Sequence, residues 1–193
     1  MISNVKIETY SSYGKLNYDL SKSKSYITAL AKKTGKIDKG LFASGLSTLK
    51  IKSDINLATK SKKRKNFYCV YPSSISVFVG YEKPKIYIAK DIRQNTCKFN
   101  MVKRHEQAHQ QINISTLEYF IPKFSIYAKK IAYELEPIKV YTEKDADNAT
   151  KYMLDKYNQE FEKMVDIFKN ELKIENGKLD TNTNYKIEAG ICK

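Results

Sequence analysis

The chain's only two histidines, His105 and His109, flank Glu106 in the pattern H-E-x-x-H. On a helix, residues four apart lie about 40° apart around the axis, so the two imidazoles project from one face at adjacent turns. Two imidazoles in this relation can bind one zinc ion, and the neighbouring Glu106 carboxylate can reach a water on the metal without being a ligand. The pattern predicts a metal site for hydrolysis. The alternative is a surface helix with solvated histidines.

A catalytic zinc usually takes three protein ligands and leaves one position open. The elongated pattern H-E-x-x-H-x-x-G-x-x-H is absent, because Ile112 and Ser115 stand where its glycine and third histidine would be. The third ligand must therefore be a carboxylate, a tyrosine, a cysteine or an amide.

We predict Glu134 as this third ligand. If the chain turns near Pro122 and returns as an antiparallel helix, the position level with His109 is about residue 134. Glu143 and Asp180 remain alternatives, because they begin or follow helices whose packing the sequence does not fix.

The predicted chemistry assigns Glu106 to take a proton from water and to pass it to the leaving amine. The oxyanion that forms on the substrate needs a second donor, and a tyrosine or Arg104 can supply it. Tyr185, in the polar tail, is our choice for this donor. The alternative is that Tyr185 is one of 15 tyrosines used for packing.

The composition is that of one globular domain over residues 1 to 193, with 41% hydrophobic and 12% aromatic residues. The formal net charge of +14 would suit nucleic acid, an anionic membrane or an acidic cell-wall polymer. Lysines are spread along the whole chain, however, and abundant Lys, Ile, Asn and Tyr are typical of an AT-rich genome. We therefore expect no nucleic-acid partner. The predicted metal site indicates a peptide or protein substrate, and the oligomeric state stays open.

No stretch approaches 18 apolar residues, so we expect no transmembrane segment. No signal peptide is visible at residues 1 to 5, which leaves a cytosolic protein or an exported one supplied without its leader. The chain has three cysteines, Cys69, Cys97 and Cys192, and in an oxidising compartment we predict a disulfide between Cys69 and Cys97. Three reduced thiols are the alternative.

The hydrophobic periodicity predicts an α+β fold, with a β-rich first half and a helical second half. We expect strands over residues 4–10, 46–58, 67–71, 75–79 and 85–89, a helix over 19–34, and a hairpin tip at the basic run 60–65. The second half predicts three main helices: the motif helix ending at Pro122, a helix over 123–136, and a long one from Thr142 to Gly177. A buried stripe marks the long helix: Tyr157, Phe161, Met164, Phe168 and Leu172. The polar tail 179–185 follows, with a frayed terminus as the alternative.

The string Arg104-His105-Glu106-Gln107-Ala108-His109, with Cys97 and Phe99 before it and residues 180–184 in the tail, resembles a family of bacterial secreted zinc-dependent peptidases of unknown function. Those proteins join a β-rich first half to a helix bearing H-E-Q-x-H and end in a Tyr-Asp-x-x-Thr-type segment. Here Leu179 replaces the aromatic residue, and Asn184 stands where a histidine is often found. If that histidine is a ligand in the family, this chain either lacks the ligand or uses Asp180 instead. The resemblance implies an exported, periplasmic enzyme.

Three functions compete at this point. The leading hypothesis is a zinc metallopeptidase in which His105, His109 and a carboxylate hold the metal. A second is a catalytically inactive metal-binding scaffold that recognises a protein or cell-wall ligand. A third is a basic nucleic-acid binder in which the motif is accidental, although the chain has no recognisable nucleic-acid module.

Overall fold

The computed structural model describes residues 5–35, 37 and 42–192 and confirms the predicted α+β class. The strands are β1 (Lys6–Tyr10), β2 (Asn17–Asp19), β3 (Gly45–Lys63), β4 (Tyr68–Ile88) and β5 (Ile138–Val140). The helices are α1 (Lys24–Lys33), α2 (Cys97–Glu134), α3 (Glu143–Leu179) and α4 (Asn182–Ile191). None of these helices is both long enough and apolar enough to cross a membrane.

The chain forms two compact units, each assembled from three stretches. Unit 1 comprises residues up to 12, 52–80 and 117–170, and unit 2 comprises residues 13–51, 81–116 and 171–193. The elements β3, β4, α2 and α3 each contribute residues to both units.

In unit 1, the first part of β4 pairs in parallel with β1, from Lys6 opposite Ser74 to Tyr10 opposite Phe78, and antiparallel with β5 at residues 68–70. Aromatic side chains from α2 and α3 fill the core, and the Tyr157 hydroxyl donates a hydrogen bond to the Ala128 carbonyl. The stripe predicted for the long helix is largely confirmed, because Tyr157, Phe161 and Phe168 are fully buried.

In unit 2, the second part of β4 pairs in parallel with β2. Helix α1 begins after the N-cap Ser23, whose hydroxyl accepts a hydrogen bond from the Tyr26 N–H, and the chain leaves it through Gly35 at a φ of 67°. The core cluster of this unit joins α1, β3, β4 and the start of α2: Ile27, Ala31, Leu46, Ile86, Ile88, Ala89, Ile92, Phe99 and Val102. The Gln110 side-chain amide also donates to the Ser47 hydroxyl, which fixes α2 beside β3.

Strand β4 replaces the three short strands that the sequence predicts around Pro72 and Pro84. Both prolines fall between the segments of β4 that pair with β5, β1 and β2, at residues 68–70, 74–78 and 85–87. Their missing N–H groups therefore remove no hydrogen bond from these three pairings. The basic run 60–65 is mostly the end of β3, and residues 64–67 form the tip, where the Arg64 N–H donates to the Phe67 carbonyl.

Helix α2 continues through Pro122, so the predicted turn and antiparallel return are wrong. A proline inside a helix removes one backbone hydrogen bond and costs about 3 kcal/mol. Leu117, Phe120 and Phe124 are buried on either side of Pro122 in the core of unit 1, and their packing offsets that cost.

Helix α3 begins where predicted, because the Thr142 hydroxyl accepts a hydrogen bond from the Asp145 N–H and the Asp145 carboxylate accepts one from the Thr142 N–H. It continues past Gly177 to Leu179, which the sequence analysis did not predict. The tail after it is not frayed: Thr181 caps a further helix, α4, by accepting from the Asn184 N–H.

Candidate metal centre

His105 and His109 project from one face of α2 in unit 2, as the spacing predicts, and their ring centroids lie 4.9 Å apart. Both residues are buried, with exposed fractions of 7% and 5%. The Nε2 atoms of both rings face the same oxygen, Oδ1 of Asp180, at 3.2 Å from His105 and 3.1 Å from His109.

Asp180 lies in the short connection between α3 and α4, directly before the N-cap Thr181. One ligand atom from each of His105, His109 and Asp180 lies within 4.8 Å of the others, and across the part of the chain that the structure describes this is the one such group of three or more. The structure therefore brings Asp180, one of the alternatives left open by the sequence, to the histidine pair.

Glu134 is not brought to this group. Because α2 is continuous, Glu134 lies about seven turns beyond His109, instead of level with it on a returning helix. Its side chain is 60% exposed and lies 4.0 Å from Lys130. Glu143, the other alternative, is the exposed first residue of α3 and belongs to unit 1.

Each imidazole has a second polar partner on its Nδ1 atom. For His105 this is Oε1 of Glu188 at 3.0 Å, and for His109 it is Oδ1 of Asn176 at 2.7 Å. The Asn176 amide is held in turn, because its Nδ2 donates to the Asn113 side chain and to the Leu172 carbonyl. With an acceptor at Nδ1, each ring carries a proton there and directs Nε2 towards Asp180, which is the orientation that a metal-ligating imidazole needs.

The sequence analysis missed Asn176 and Glu188. Asn176 precedes Asp180 by four residues, and Glu188 follows Tyr185 by three, so each has the spacing of a neighbour on a helical face. These spacings alone do not show that Asn176 and Glu188 contact the histidines, because the contacts depend on how α3 and α4 pack against α2.

Carboxylates set the charge of the centre. Burial alone would lower the pKa of His105, but the hydrogen bonds to Asp180 and Glu188 outweigh it and raise the pKa to about 9. Burial would raise the pKa of Asp180, yet the contacts to His105, His109 and Tyr185 hold it well below its usual range. The centre thus favours a positive charge between the imidazoles and Asp180, where a divalent cation can replace a proton.

Glu106 is 6% exposed, and its side chain lies against Gly45, the first residue of β3. A Cβ atom at Gly45 would lie 2.6 Å from Oε1 of Glu106 and 2.6 Å from Cγ1 of Val102, so a larger residue at position 45 would displace these side chains. Glu106 lines a cavity of about 420 Å³ together with His105, His109 and Asp180. The carboxylate and the three candidate ligands therefore face one space within unit 2.

Tyr185 lies where the sequence analysis proposed, at this centre. Its hydroxyl donates to Oδ1 of Asp180 at 2.7 Å, and its ring stacks on His105 with 5.3 Å between centroids. Burial and the hydrogen bond to Asp180 raise the pKa of the phenol above its usual range, so the hydroxyl stays a donor at neutral pH. Arg104, the other proposed donor, is exposed and lines a neighbouring cavity instead.

A disulfide joins Cys97, the first residue of α2, to Cys192, the C-cap residue of α4. The predicted pair of Cys69 and Cys97 is wrong, and Cys69 is a free, half-buried thiol in β4. Helix α4 has no buried residue, although it carries both Tyr185 and Glu188. The disulfide and the polar contacts of the centre therefore hold α4 in place, with little help from a hydrophobic face.

Comparisons of the chain with protein-family models, with curated proteins and with solved structures find no match.

Replacing Asp180 by alanine is expected to weaken zinc binding on the order of 100-fold or more, because the two imidazoles lose the carboxylate that they share. Glu134→Ala is the matched control and is expected to bind zinc as the wild type does. Metal content and a titration against a competing chelator measure both. Full zinc binding by Asp180→Ala, or its loss in Glu134→Ala, contradicts the assignment.

Replacing both Cys97 and Cys192 by serine is expected to lower the free energy of unfolding by about 2–4 kcal/mol. Zinc affinity is expected to fall about tenfold or more, because α4 then positions Glu188, the partner of His105 Nδ1, less firmly. Urea unfolding and zinc titration measure the two effects, with Cys69→Ser as the control. A double variant that binds zinc as tightly as the wild type would show that the disulfide does not support the centre.

Proposed function

We propose that this protein is a zinc-dependent metallopeptidase, a hydrolase that cleaves peptide bonds with Glu106 as its general base. The observation that carries the proposal is the convergence of His105 and His109 on Asp180, with Glu106 lining the same cavity. Two imidazoles and a carboxylate, with a titratable acid beside them, are the parts that metal-assisted hydrolysis requires.

The donor set fits zinc. Two nitrogen ligands and one carboxylate oxygen form one of the ligand combinations of catalytic zinc, which keeps a further position open. The Nδ1 contacts to Glu188 and Asn176 orient the rings for this task. When bound, zinc supplies a Lewis acid that lowers the pKa of a water molecule to about 7 and polarises a carbonyl group.

Glu106 moves the proton. Its carboxylate takes a proton from the attacking water and passes it to the amine that leaves when the peptide bond breaks. The contact with Gly45 limits the movement of this side chain, and its burial keeps bulk water away from the carboxylate.

Tyr185 provides a donor for the oxyanion of the tetrahedral intermediate. Its hydroxyl lies 2.7 Å from a candidate ligand atom and remains protonated, so it can turn from Asp180 to a substrate oxygen within the same cavity.

The proposed location is outside the cytosol, in the periplasm or secreted. A disulfide between Cys97 and Cys192 supports this, because such bridges persist mainly in oxidising compartments. A cytoplasmic location is the alternative.

Glu106→Gln is expected to keep stoichiometric zinc and to reduce peptide hydrolysis by about 10²–10⁴-fold, because the amide cannot accept the proton. A peptide library digested with zinc-loaded protein and analysed by mass spectrometry measures the activity, and elemental analysis measures the metal. If the wild type binds zinc and cleaves nothing, the peptidase proposal fails and the inactive metal-binding scaffold takes its place.

Tyr185→Phe is expected to reduce kcat by about 10²–10³-fold with little change in zinc content, because an oxyanion donor is lost while both imidazoles and Asp180 remain. Steady-state kinetics on a peptide that the wild type cleaves, together with a zinc titration, distinguish a role of Tyr185 as oxyanion donor from a role in positioning Asp180. A variant that loses zinc affinity and regains full kcat at saturating zinc would show that Tyr185 only positions Asp180.

A further inference from the structure

The cavity that holds the metal centre has an apolar wall, formed by Ala31, Ile37, Ala43, Leu46, Met101 and Val102. Ala31, Leu46 and Val102 are buried members of the core cluster of unit 2, and the other three are partly buried and packed against that cluster. None of these six side chains carries a polar hydrogen-bonding group. The wall is thus the part of the hydrophobic core of unit 2 that lines the cavity of the metal centre.

Hydrogen bonds fix the chain segment that forms one part of this wall. The Ala43 N–H donates to the hydroxyl of Thr28 on α1 at 3.0 Å, and the Ala89 N–H donates to the Ser44 carbonyl at 2.9 Å. The part of the wall at Ala43 is therefore held in position before a ligand binds.

The apolar wall lies next to the candidate ligands along α2. Met101 and Val102 precede His105 and Glu106 by four residues, which is about one helical turn or 6 Å along the axis. Consecutive Cα atoms in a peptide are about 3.8 Å apart. A side chain that reaches Met101 from a peptide held at the metal centre therefore belongs to a residue that flanks the bond to be cleaved.

The volume and the chemistry of the cavity suit such an occupant. At about 420 Å³ it has the size of a small-ligand site, for which roughly 300–1,000 Å³ is typical. A substrate side chain without charge gains free energy by covering the apolar wall, whereas a charged one loses its hydration there. Lys98 is the lysine among the described lining residues, and it would favour an acidic side chain instead.

We infer that the apolar wall is the specificity pocket of this site: it receives a large apolar side chain, such as that of leucine or phenylalanine, from a substrate residue flanking the cleaved bond. Met101 is the specificity-determining residue, because it is partly buried in the wall and lies one turn from His105. This inference rests on the proposed function.

Hydroxamates of N-acetylated glycine, leucine, phenylalanine, aspartate and lysine test the inference without requiring catalysis. Each binds a site zinc through the same chelating group, so differences in affinity report the side chain. On zinc-loaded protein, the leucine or phenylalanine probe is expected to bind at least about tenfold more tightly than the glycine, aspartate and lysine probes, as measured by calorimetry. Affinities without this preference, or tightest binding of the aspartate or lysine probe, would overturn the inference.

Met101→Gln and Met101→Leu form a matched pair of variants. The polar amide is expected to reduce the preference for leucine over glycine by at least about threefold, and leucine at this position is expected to retain it. Full zinc content in both variants shows that the centre is intact, and an unchanged preference in Met101→Gln overturns the role of Met101.

A zinc-loaded wild type that prefers apolar probes but cleaves no peptide overturns the proposed function alone, and a wild type that takes up no zinc overturns both.

Discussion

A single carboxylate oxygen organises the centre of this protein. Oδ1 of Asp180 meets Nε2 of His105, Nε2 of His109 and the hydroxyl of Tyr185, all within 3.2 Å. The two imidazoles are buried, whereas the Asp180 side chain is 28% exposed and Tyr185 is 44% exposed. The buried imidazoles need a positive charge among them, because both face the carboxylate of Asp180. In the absence of metal, protonation of His105 meets this need, and its pKa of about 9 reflects the same attraction that a divalent cation would feel.

The rest of unit 2 keeps this oxygen in place. Helix α2 presents the imidazoles, while the end of α3 and the start of α4 carry the chain through Asp180. The Asn176 and Glu188 side chains fix the far side of each ring. Helix α4 buries none of its own residues. The disulfide between Cys97 and Cys192 therefore contributes strongly to the positions of Tyr185 and Glu188. The centre therefore depends on local polar contacts and one disulfide more than on hydrophobic packing.

The sequence reveals those features of the site that are local. Residues four apart on a helix share a face whatever the tertiary structure, so the relation of His105 to His109 could be predicted, as could the buried stripe of α3 and the cap at Thr142. The third partner could not be predicted, because its position depends on whether Pro122 ends a helix. Packing of Phe120 and Phe124 overrides that proline, and the helix that would have returned Glu134 does not form. The disulfide was missed for a similar reason, since Cys192 reaches Cys97 only once the tail folds as α4.

X-ray absorption spectroscopy on the zinc-loaded protein tests the central claim most directly, because it reports the atoms around the metal without requiring activity. We expect imidazole scattering from two rings, with nitrogen and oxygen neighbours at about 2.0–2.2 Å and no sulfur, as a centre of His105, His109 and Asp180 requires. A sulfur neighbour at about 2.3 Å, or an oxygen shell without imidazole, would contradict the account.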